Sequence, residues 1–485
     1  MVNNNIMSKK EACGVVGVYD REKDVAERIF YGLMALQHRG QESAGVALTR
    51  GDGNIYLKKG MGLVGEAFSL AELSMLAGRF GIGHVRYSTV GKSSLTDAQP
   101  FNLDSVALAY NGNVVNYREL RENLRRKGVY FTSTSDAEIL LNILLREQRE
   151  TGDFFDALAE LTKVVEGAYS AVCLTGEGEI LVFRDPIGFK PLCYGNVDGS
   201  VIVASESVAI DTCGGKLISD VKPGEALLIS DSGVEKKCFT CSKQKAHCMF
   251  AYVYFSRPDS VIEGKSVYEV RLKLGVNLAK TYENDADVIV PVPDTSRPAA
   301  EGIARSTGLP VAEGLIKNRY IHRTFIMPSQ NLRENAVKLK LNPLKSVLKD
   351  QRVILVDDSI VRGTTIKNIV QMIRKAGAKE VHVRITCPPI ISPCFYGIDI
   401  ATHRELIASK KSVEEIRKMI GADSLGYQTI KGLVKAIGLG EENLCLACLT
   451  GEYPTPYAQK LAEEMKKKPP IQGNRYIELG LEGRR

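Results

Sequence analysis

The chain has no apolar run approaching the roughly 18 residues of a membrane-spanning helix. Its opening stretch, MVNNNIMSKKEA, lacks the apolar core of a signal peptide. We therefore expect a cytoplasmic protein with no membrane partner. A complete phosphate-binding loop, G-x-x-x-x-G-K-[ST], is also missing: the nearest match, Gly91-Lys92-Ser93, has Arg86 where the first glycine must stand, which disfavours a P-loop ATPase. There is no internal repeat and no low-complexity tract. A net charge of +7 suits anionic substrates, but the basic residues are spread along the chain and gather only near its end, at Lys466, Lys467, Lys468, Arg484 and Arg485. That distribution reads as solvated surface rather than a nucleic-acid footprint, so no nucleic-acid partner is expected.

What is present is the composition of a globular protein. Its 485 residues allow two or three domains, and 44% apolar with 25% charged residues is ordinary for packed cores. The eleven cysteines are Cys13, Cys173, Cys193, Cys213, Cys238, Cys241, Cys248, Cys387, Cys394, Cys445 and Cys448. In the cytoplasm these are more often thiols or metal ligands than disulfides.

Much of the chain serves the stretch Gln351 to Thr365, QRVILVDDSIVRGTT. Val353 to Val356 form a short apolar run typical of a buried parallel strand, followed by Asp357, Asp358 and a turn into a helix predicted over Ile366 to Lys375. Ligands of open α/β sheets bind beyond the carboxyl ends of the strands, and a helix N-terminus offers unpaired N–H groups to a phosphate. Gly363 lets the backbone approach closely, and Ser359, Thr364 and Thr365 carry hydroxyls that can donate to phosphate oxygens. Asp357 and Asp358 can hold ribose hydroxyls or a hydrated Mg²⁺. This pattern points to a phosphorylated sugar. The competing reading is a plain βα unit with solvated cap residues.

From Asp285 the predicted order is strand (DVIVPVP), helix (Arg297 to Ser306), strand (VAEGLI), a loop, the strand and helix just described, and strand (EVHVRITCP). This alternation implies a parallel sheet with right-handed crossovers. Thr295, in the turn Pro293-Asp294-Thr295-Ser296, would face the same ligand as Asp357 and Asp358. The first half reads as many short strands with glycine turns up to about residue 245, which suits an αββα sandwich, and residues 238–245 read as a linker.

Cys13 opens the β-like run Cys13-Gly14-Val15-Val16-Gly17-Val18. A buried structural cysteine is the ordinary reading. If residues 1–12 are removed, Cys13 instead carries a free α-amine whose pKa near 8 makes it a base for its own thiol. Further on stand Gly83-His84-Val85-Arg86-Tyr87-Ser88-Thr89, Ala109-Tyr110-Asn111-Gly112-Asn113 and Ser135-Asp136-Ala137-Glu138, the last opening an amphipathic helix through Leu145. Singly, these read as an ion pair, a turn and a helix cap. Two C-x-x-C pairs, Cys238/Cys241 and Cys445/Cys448, leave a zinc site, an iron–sulfur cluster and unligated thiols all open.

VILVDDSIVRGTT resembles the signature of type I phosphoribosyltransferases, and with PVPDTS and NRYIHRTFIMPSQ it resembles the glutamine 5-phosphoribosyl-1-pyrophosphate (PRPP) amidotransferase family. In the first half, CGVVGV, Gln37-His38-Arg39-Gly40-Gln41, GHVRYST, AYNGN, SDAE, Arg184-Asp185-Pro186 and Lys222-Pro223-Gly224 resemble the N-terminal-nucleophile (class II) glutamine amidotransferase domain. The resemblance spans roughly residues 13–460. It implies a propeptide over 1–12, a glutaminase domain over 13–244, a phosphoribosyltransferase domain over 245–460 and a tail over 461–485. It further implies Cys13 as nucleophile, with Asn111 and the Gly112 N–H stabilising the oxyanion. Arg86 would bind the α-carboxylate of glutamine and Asp136 its α-ammonium group.

In the second half the resemblance implies PRPP contacts from Lys317, Ser359, Arg362, Gly363, Thr364 and Thr365, and magnesium or ribose contacts from Thr295, Asp357 and Asp358. The basic segment from Lys317 to about Pro343, with Arg319, Arg323 and Arg333, would close as a lid over pyrophosphate. In the cluster-bearing branch of the family, the ligands of a [4Fe–4S] cluster map to Cys248, Cys394, Cys445 and Cys448. Tyr110 stands where the family commonly has His, and Lys190 where Arg is common. The implied reaction is ammonia transfer from glutamine to C1 of PRPP, the first step of de novo purine synthesis, through a sheltered path. Purine nucleotides as feedback inhibitors and a homotetramer are the family habit. A glutaminase fused to a sugar-phosphate isomerase-type half, and a non-catalytic nucleotide-binding regulator, are the rival expectations.

Overall fold

The computed structural model describes residues 13–87, 93–318, 341–400, 403 and 405–467. The opening run GVVGVY becomes β1 (Gly14–Tyr19), buried along its whole length. A strand buried on both faces needs partners on both sides. Val16 and Val18 face one core, while Val15 and Tyr19 face another.

β1 lies in a seven-stranded sheet with β2 (Ser43–Thr49), β3 (Tyr56–Met61), β4 (Phe80–Arg86), β9 (Cys193–Val197), β10 (Ser200–Ala204) and β11 (Lys216–Asp220), in the order β11-β9-β10-β1-β4-β2-β3. A second sheet holds β5 (Phe101–Leu103), β6 (Val106–Val114), β7 (Gly167–Thr175), β8 (Ile180–Arg184), β12 (Glu225–Ser230) and β13 (Gly233–Cys238), in the order β13-β12-β8-β7-β6-β5. Valines, isoleucines and alanines of both sheets share the core between them. Helices α1 (Ala26–Ala35) and α4 (Ser207–Thr212) pack on the outer face of the first sheet, and α2 (Asp136–Thr151) and α3 (Phe154–Val164) on that of the second. The expected αββα sandwich is the result.

The second half is a four-stranded parallel sheet, β17 (Val288–Pro291), β20 (Arg352–Asp357), β21 (Glu380–Ile385) and β22 (Ser424–Tyr427), in that order. Val353 and Leu355 face one core and Ile354 and Val356 the other, so helices cover both faces. These include α5 (Val267–Thr281), α6 (Arg297–Thr307) and α7 (Thr364–Lys375), whose Ile366, Ile369, Val370 and Ile373 form one apolar stripe.

The strand expected over VAEGLI does not join this sheet. Val311 makes a single parallel bridge to Ile289, after which the chain turns so that the Gly314 N–H bonds back to the Ala312 carbonyl. β18 (Leu315–Lys317) then pairs antiparallel with β19 (Leu341–Pro343), outside the main sheet. Two short hairpin strands, β15 (Val261–Ile262) and β16 (Lys265–Ser266), precede α5.

The halves share a core. β14 (His247–Cys248) pairs in parallel with β23 (Leu444–Cys445), and Phe189 stacks on Tyr396 at a centroid distance of 3.9 Å. The last described helix, α8 (Pro456–Lys467), buries Ala458, Ala462 and Met465 in that shared core. Its N-terminus is capped by the Glu166 carboxylate, which accepts from the Tyr457 and Ala458 N–H groups. Ordered helix thus runs past residue 460, where the tail was expected to begin.

Candidate active sites

Cys13 immediately precedes β1, beside the end of β4 that carries Arg86. Its Sγ lies 3.5 Å from the Tyr87 carbonyl oxygen. Burial pushes the thiol pKa up, and the positive charge of Arg86 opposes that push. The buried Arg86 guanidinium lies 3.9 Å from the Asp97 carboxylate, which is itself fixed by the Thr134 N–H and hydroxyl. Asp136 is the first residue of α2 and accepts from the Val114 N–H at 3.0 Å, which anchors the helix start to the end of β6. Burial pushes its carboxyl up, against the pull of that N–H and of Arg86. Tyr110, buried nearby, is raised well above the usual phenol range by burial and by the Asp136 charge.

Asn111 and Gly112 follow Tyr110 in β6. The Asn111 side chain is fully buried, and among the described residues neither its nitrogen nor its oxygen has a hydrogen-bond partner. A buried amide left in that state costs about 1–3 kcal/mol, which a ligand would recover. Gly112 must be glycine, because a Cβ there would run into the Ala168 carbonyl of β7. A thiol, a guanidinium, a carboxylate and an open amide thus converge on one buried region. That set can hold a zwitterionic amino acid and attack its side-chain carbonyl.

In the second half, β20 ends at Asp357, so Asp357 and Asp358 sit at the carboxyl edge of the parallel sheet, both buried. The Asp358 N–H bonds Asp357 Oδ1 at 2.8 Å, and the Asp358 carbonyl oxygen accepts from the Cys387 N–H and Thr386 hydroxyl, which locks the turn. The Ser359 hydroxyl donates to Asp358 Oδ2 at 2.6 Å. Gly363 has φ +79°, a left-handed conformation that glycine adopts without strain, and it opens α7. Thr364 and Thr365 are exposed on the first turn of that helix. Arg362 is exposed and paired with Glu405 at 2.6 Å. Thr295 lies in the turn after the adjacent strand β17, and Lys317 reaches that turn through a 2.8 Å ion pair with Asp294. Ser88, Thr89, Arg319, Arg323, Arg333 and the leader 1–12 lie outside the described residues.

Comparison with known proteins matches the glutamine amidotransferase domain family over residues 72–240 and the phosphoribosyl transferase domain family over 271–391. The amidophosphoribosyltransferase of Methanothermobacter thermautotrophicus is 49% identical over 460 residues, covering 94% of this chain and 97% of that protein. The Bacillus subtilis enzyme of the same name is 45% identical, covering 94% of this chain and 96% of that protein. This chain belongs to the amidophosphoribosyltransferases. Among solved structures, the B. subtilis glutamine PRPP amidotransferase complexed with ADP and GMP superposes with a TM-score of 0.85 at 44% identity, over 92% of this chain and 98% of that one. A structure described as the allosteric regulatory enzyme of purine biosynthesis gives 0.87 at 42% identity, over 96% and 99%.

This amidophosphoribosyltransferase separates its two C-x-x-C pairs, which spacing alone left equivalent. Cys248 and Cys445 are direct partners in the β14–β23 ladder, and with Cys394 and Cys448 they line one cavity at the junction of the halves. Burial pushes the Cys394 thiol up to about 11 and raises those of Cys445 and Cys448 well above the ordinary thiol range. The buried Lys190 amine bonds the Gly397 carbonyl at 3.3 Å, and its charge acts on Cys248, Cys394 and Cys445. Among the described residues, no group of three or more His, Cys, Asp or Glu is placed to hold a metal ion. Cys238 and Cys241 lie elsewhere, exposed, with their sulfurs 2.9 Å apart.

Two residues of this amidophosphoribosyltransferase escaped the sequence. Glu206 is buried and ion-paired to Arg39, whose Nε donates to the Cys13 carbonyl at 3.0 Å. The same carboxylate accepts from the Arg257 N–H and the Ser260 hydroxyl of the FSRPDS stretch, bridging the nucleophile to the second half. Asn113 bonds across the same junction. A lone acid after a strand carries no signal of such reach. Asn113, in contrast, stood inside the quoted AYNGN run. Among the described residues, no helix is long and apolar enough to cross a membrane.

Proposed function

We propose that this chain transfers the amide nitrogen of glutamine to C1 of PRPP, giving 5-phosphoribosylamine, glutamate and pyrophosphate. The observation that carries the reading is the presence of both sites on one chain that matches amidophosphoribosyltransferases over nearly its full length.

The Cys13 thiolate attacks the glutamine side-chain carbonyl, and the Asn111 amide and Gly112 N–H bind the resulting oxyanion. Arg86 takes the α-carboxylate and Asp136 the α-ammonium group, which fixes the reacting carbon over the sulfur. The amide nitrogen takes up a proton, the C–N bond breaks to release ammonia, and the thioester that remains is hydrolysed by water to glutamate and the free thiol. Removal of residues 1–12 would give Cys13 the α-amine that accepts its thiol proton. The released ammonia attacks C1 of PRPP, the bond from C1 to the pyrophosphate oxygen breaks, and pyrophosphate departs with the electron pair. Lys317 and the α7 N-terminus, with Ser359, Thr364 and Thr365, hold phosphate oxygens, and Arg362 exchanges Glu405 for the ligand. Ammonia passes between the sites without reaching bulk water, where it would protonate.

Two groups fit the residues. Thr295, Asp357 and Asp358 are hard oxygen donors at the sheet edge and suit Mg²⁺, which when bound neutralises pyrophosphate charge. The four thiols around one cavity, beside a buried lysine, suit a [4Fe–4S] cluster held by Cys248, Cys394, Cys445 and Cys448. When bound, it would cross-link the domain junction. We further propose a cytoplasmic homotetramer inhibited by purine nucleotides; the B. subtilis structure with ADP and GMP supports the inhibition.

The test is glutamine hydrolysis by the anaerobically purified protein, with and without PRPP, beside its intact mass. Hydrolysis raised by PRPP in a chain beginning at Cys13 supports the reading. A full-length mass with no hydrolysis, repeated after iron supply, favours the nucleotide-binding regulator.

A further inference from the structure

Outside both sites, the structure holds one pair of thiols in reach of each other and of solvent. Cys238 is the last residue of β13, opposite Glu225, and Cys241 follows after one turn. Their Sγ atoms are 2.9 Å apart, within about 0.9 Å of the 2.05 Å length of a disulfide bond. Both residues are exposed. The loop between them is nonetheless fixed. The Phe239 N–H bonds the Gly224 carbonyl at 3.0 Å, and the Phe239 ring is buried in the core under α2 and α3. The backbone is therefore pinned from within while both sulfurs face water.

Lys236, Lys237, Lys243 and Lys245 flank the pair in sequence, while Glu225 stands opposite Cys238 in the ladder and Lys237 is ion-paired to Asp156 at 3.3 Å. The Cys238 thiol donates to the Thr240 carbonyl oxygen at 3.2 Å. Cys241 is thereby the less engaged sulfur of the pair and the one that attacks. The other cysteines lack this combination of mutual contact and exposure.

We infer that Cys238 and Cys241 form a redox-active dithiol that low-molecular-weight disulfides oxidise to an intramolecular disulfide, at a site separate from the four-cysteine cavity. The Cys241 thiolate attacks one sulfur of the small disulfide, forming a mixed disulfide and expelling one thiolate. Cys238 loses its proton and attacks Cys241 Sγ, and the second small thiolate leaves. Two electrons pass from the dithiol to the small disulfide, and the two protons end on the two released thiols.

The test uses the whole protein, purified anaerobically and equilibrated in buffers of reduced and oxidised glutathione. After acid quenching and alkylation of free thiols, trypsin releases Cys238 to Lys243 as one peptide with no other cysteine. Under oxidising buffers we expect this peptide to lose both alkyl groups and two hydrogens, following a two-electron titration. We expect Cys238→Ser to trap glutathione on Cys241, and Cys241→Ser to react with glutathione disulfide at least tenfold more slowly. A peptide that stays doubly alkylated where glutathione is mostly disulfide, or that carries two glutathiones, would overturn the inference. The titration of the unaltered protein needs no variant to fold.

Discussion

Asn113 donates its side-chain N–H to the carbonyl oxygen of Phe395 at 2.8 Å. One partner follows Gly112, the proposed oxyanion donor, and the other follows Cys394. Gly397, two residues further on, packs so close to Gly112 that its Cβ would stand 3.0 Å from the Gly112 carbonyl oxygen. The oxyanion strand of the first half is thus braced by the cysteine loop of the second. Asn113→Ala removes this buried hydrogen bond across the junction, and we expect a loss of about 1–3 kcal/mol of stability together with a lower glutaminase kcat. The KM for PRPP should hardly move. Denaturant unfolding and steady-state kinetics check both.

Asp136 illustrates a cost accepted for binding. Burial raises its carboxyl above the ordinary 3.8, so folding disfavours the ionised form relative to the unfolded chain, and the ionised side chain costs stability at neutral pH. That cost is relieved as pH falls through the raised folded value. Asp136→Asn, which still accepts from the Val114 N–H, should be no less stable than the parent. Its KM for glutamine should rise at least about tenfold, because a charge-assisted bond worth about 1.5–3 kcal/mol is lost.

Glu206 behaves in the opposite sense. Burial alone would raise its carboxyl, but the charges of His38 and Arg39 hold it well below the usual range. A depressed folded value stabilises the protein above the unfolded value near 4.5, and that stabilisation is lost as pH falls further. Glu206→Ala should cost about 3–5 kcal/mol at neutral pH by leaving Arg39 buried and unpaired. The gap from the parent should narrow in unfolding curves recorded at successively lower pH.

At the second site, Gly363→Ala places a Cβ 2.9 Å from Ile407 Cδ1 and Met419 Cε at a left-handed φ. We expect a loss of about 1–3 kcal/mol and a raised KM for PRPP, with PRPP-independent glutamine hydrolysis retained. Asp357→Asn, or chelation of divalent cations, should abolish PRPP turnover while leaving that basal hydrolysis intact. Parallel assays of glutamate and pyrophosphate separate the two effects.

Cys445→Ser should abolish bound iron and the visible absorbance of a cluster, and lower Tm, since Cys445 lies in the ladder that ties the start of the second half to its C-terminal segment. Metal analysis of the anaerobic protein that returned zinc in place of iron would contradict the cluster assignment.

The sequence disclosed the strands and turns that carry chemistry because those signals are local. An apolar run ending in Asp357-Asp358 before Gly363 has one natural geometry, and GVVGVY could only be a buried strand. It did not disclose Glu206 or the bond from Asn113, because both act across a junction joining residues more than fifty positions apart. VAEGLI failed as a sheet strand for a related reason. Its composition suits a strand, but the turn at Ala312 to Gly314 carries it off the sheet edge. Tertiary packing likewise sets the two equally spaced cysteine pairs apart, placing Cys445 and Cys448 on the cavity at the junction and leaving Cys238 and Cys241 exposed.

The most direct test of coupled sites on one chain supplies glutamine labelled with heavy nitrogen in its amide, PRPP, and an excess of unlabelled ammonium. If ammonia passes between the sites sheltered from water, the phosphoribosylamine trapped as it forms carries the label, one for each glutamate released. Product carrying mainly unlabelled nitrogen, or glutamate release indifferent to PRPP, would contradict the coupling.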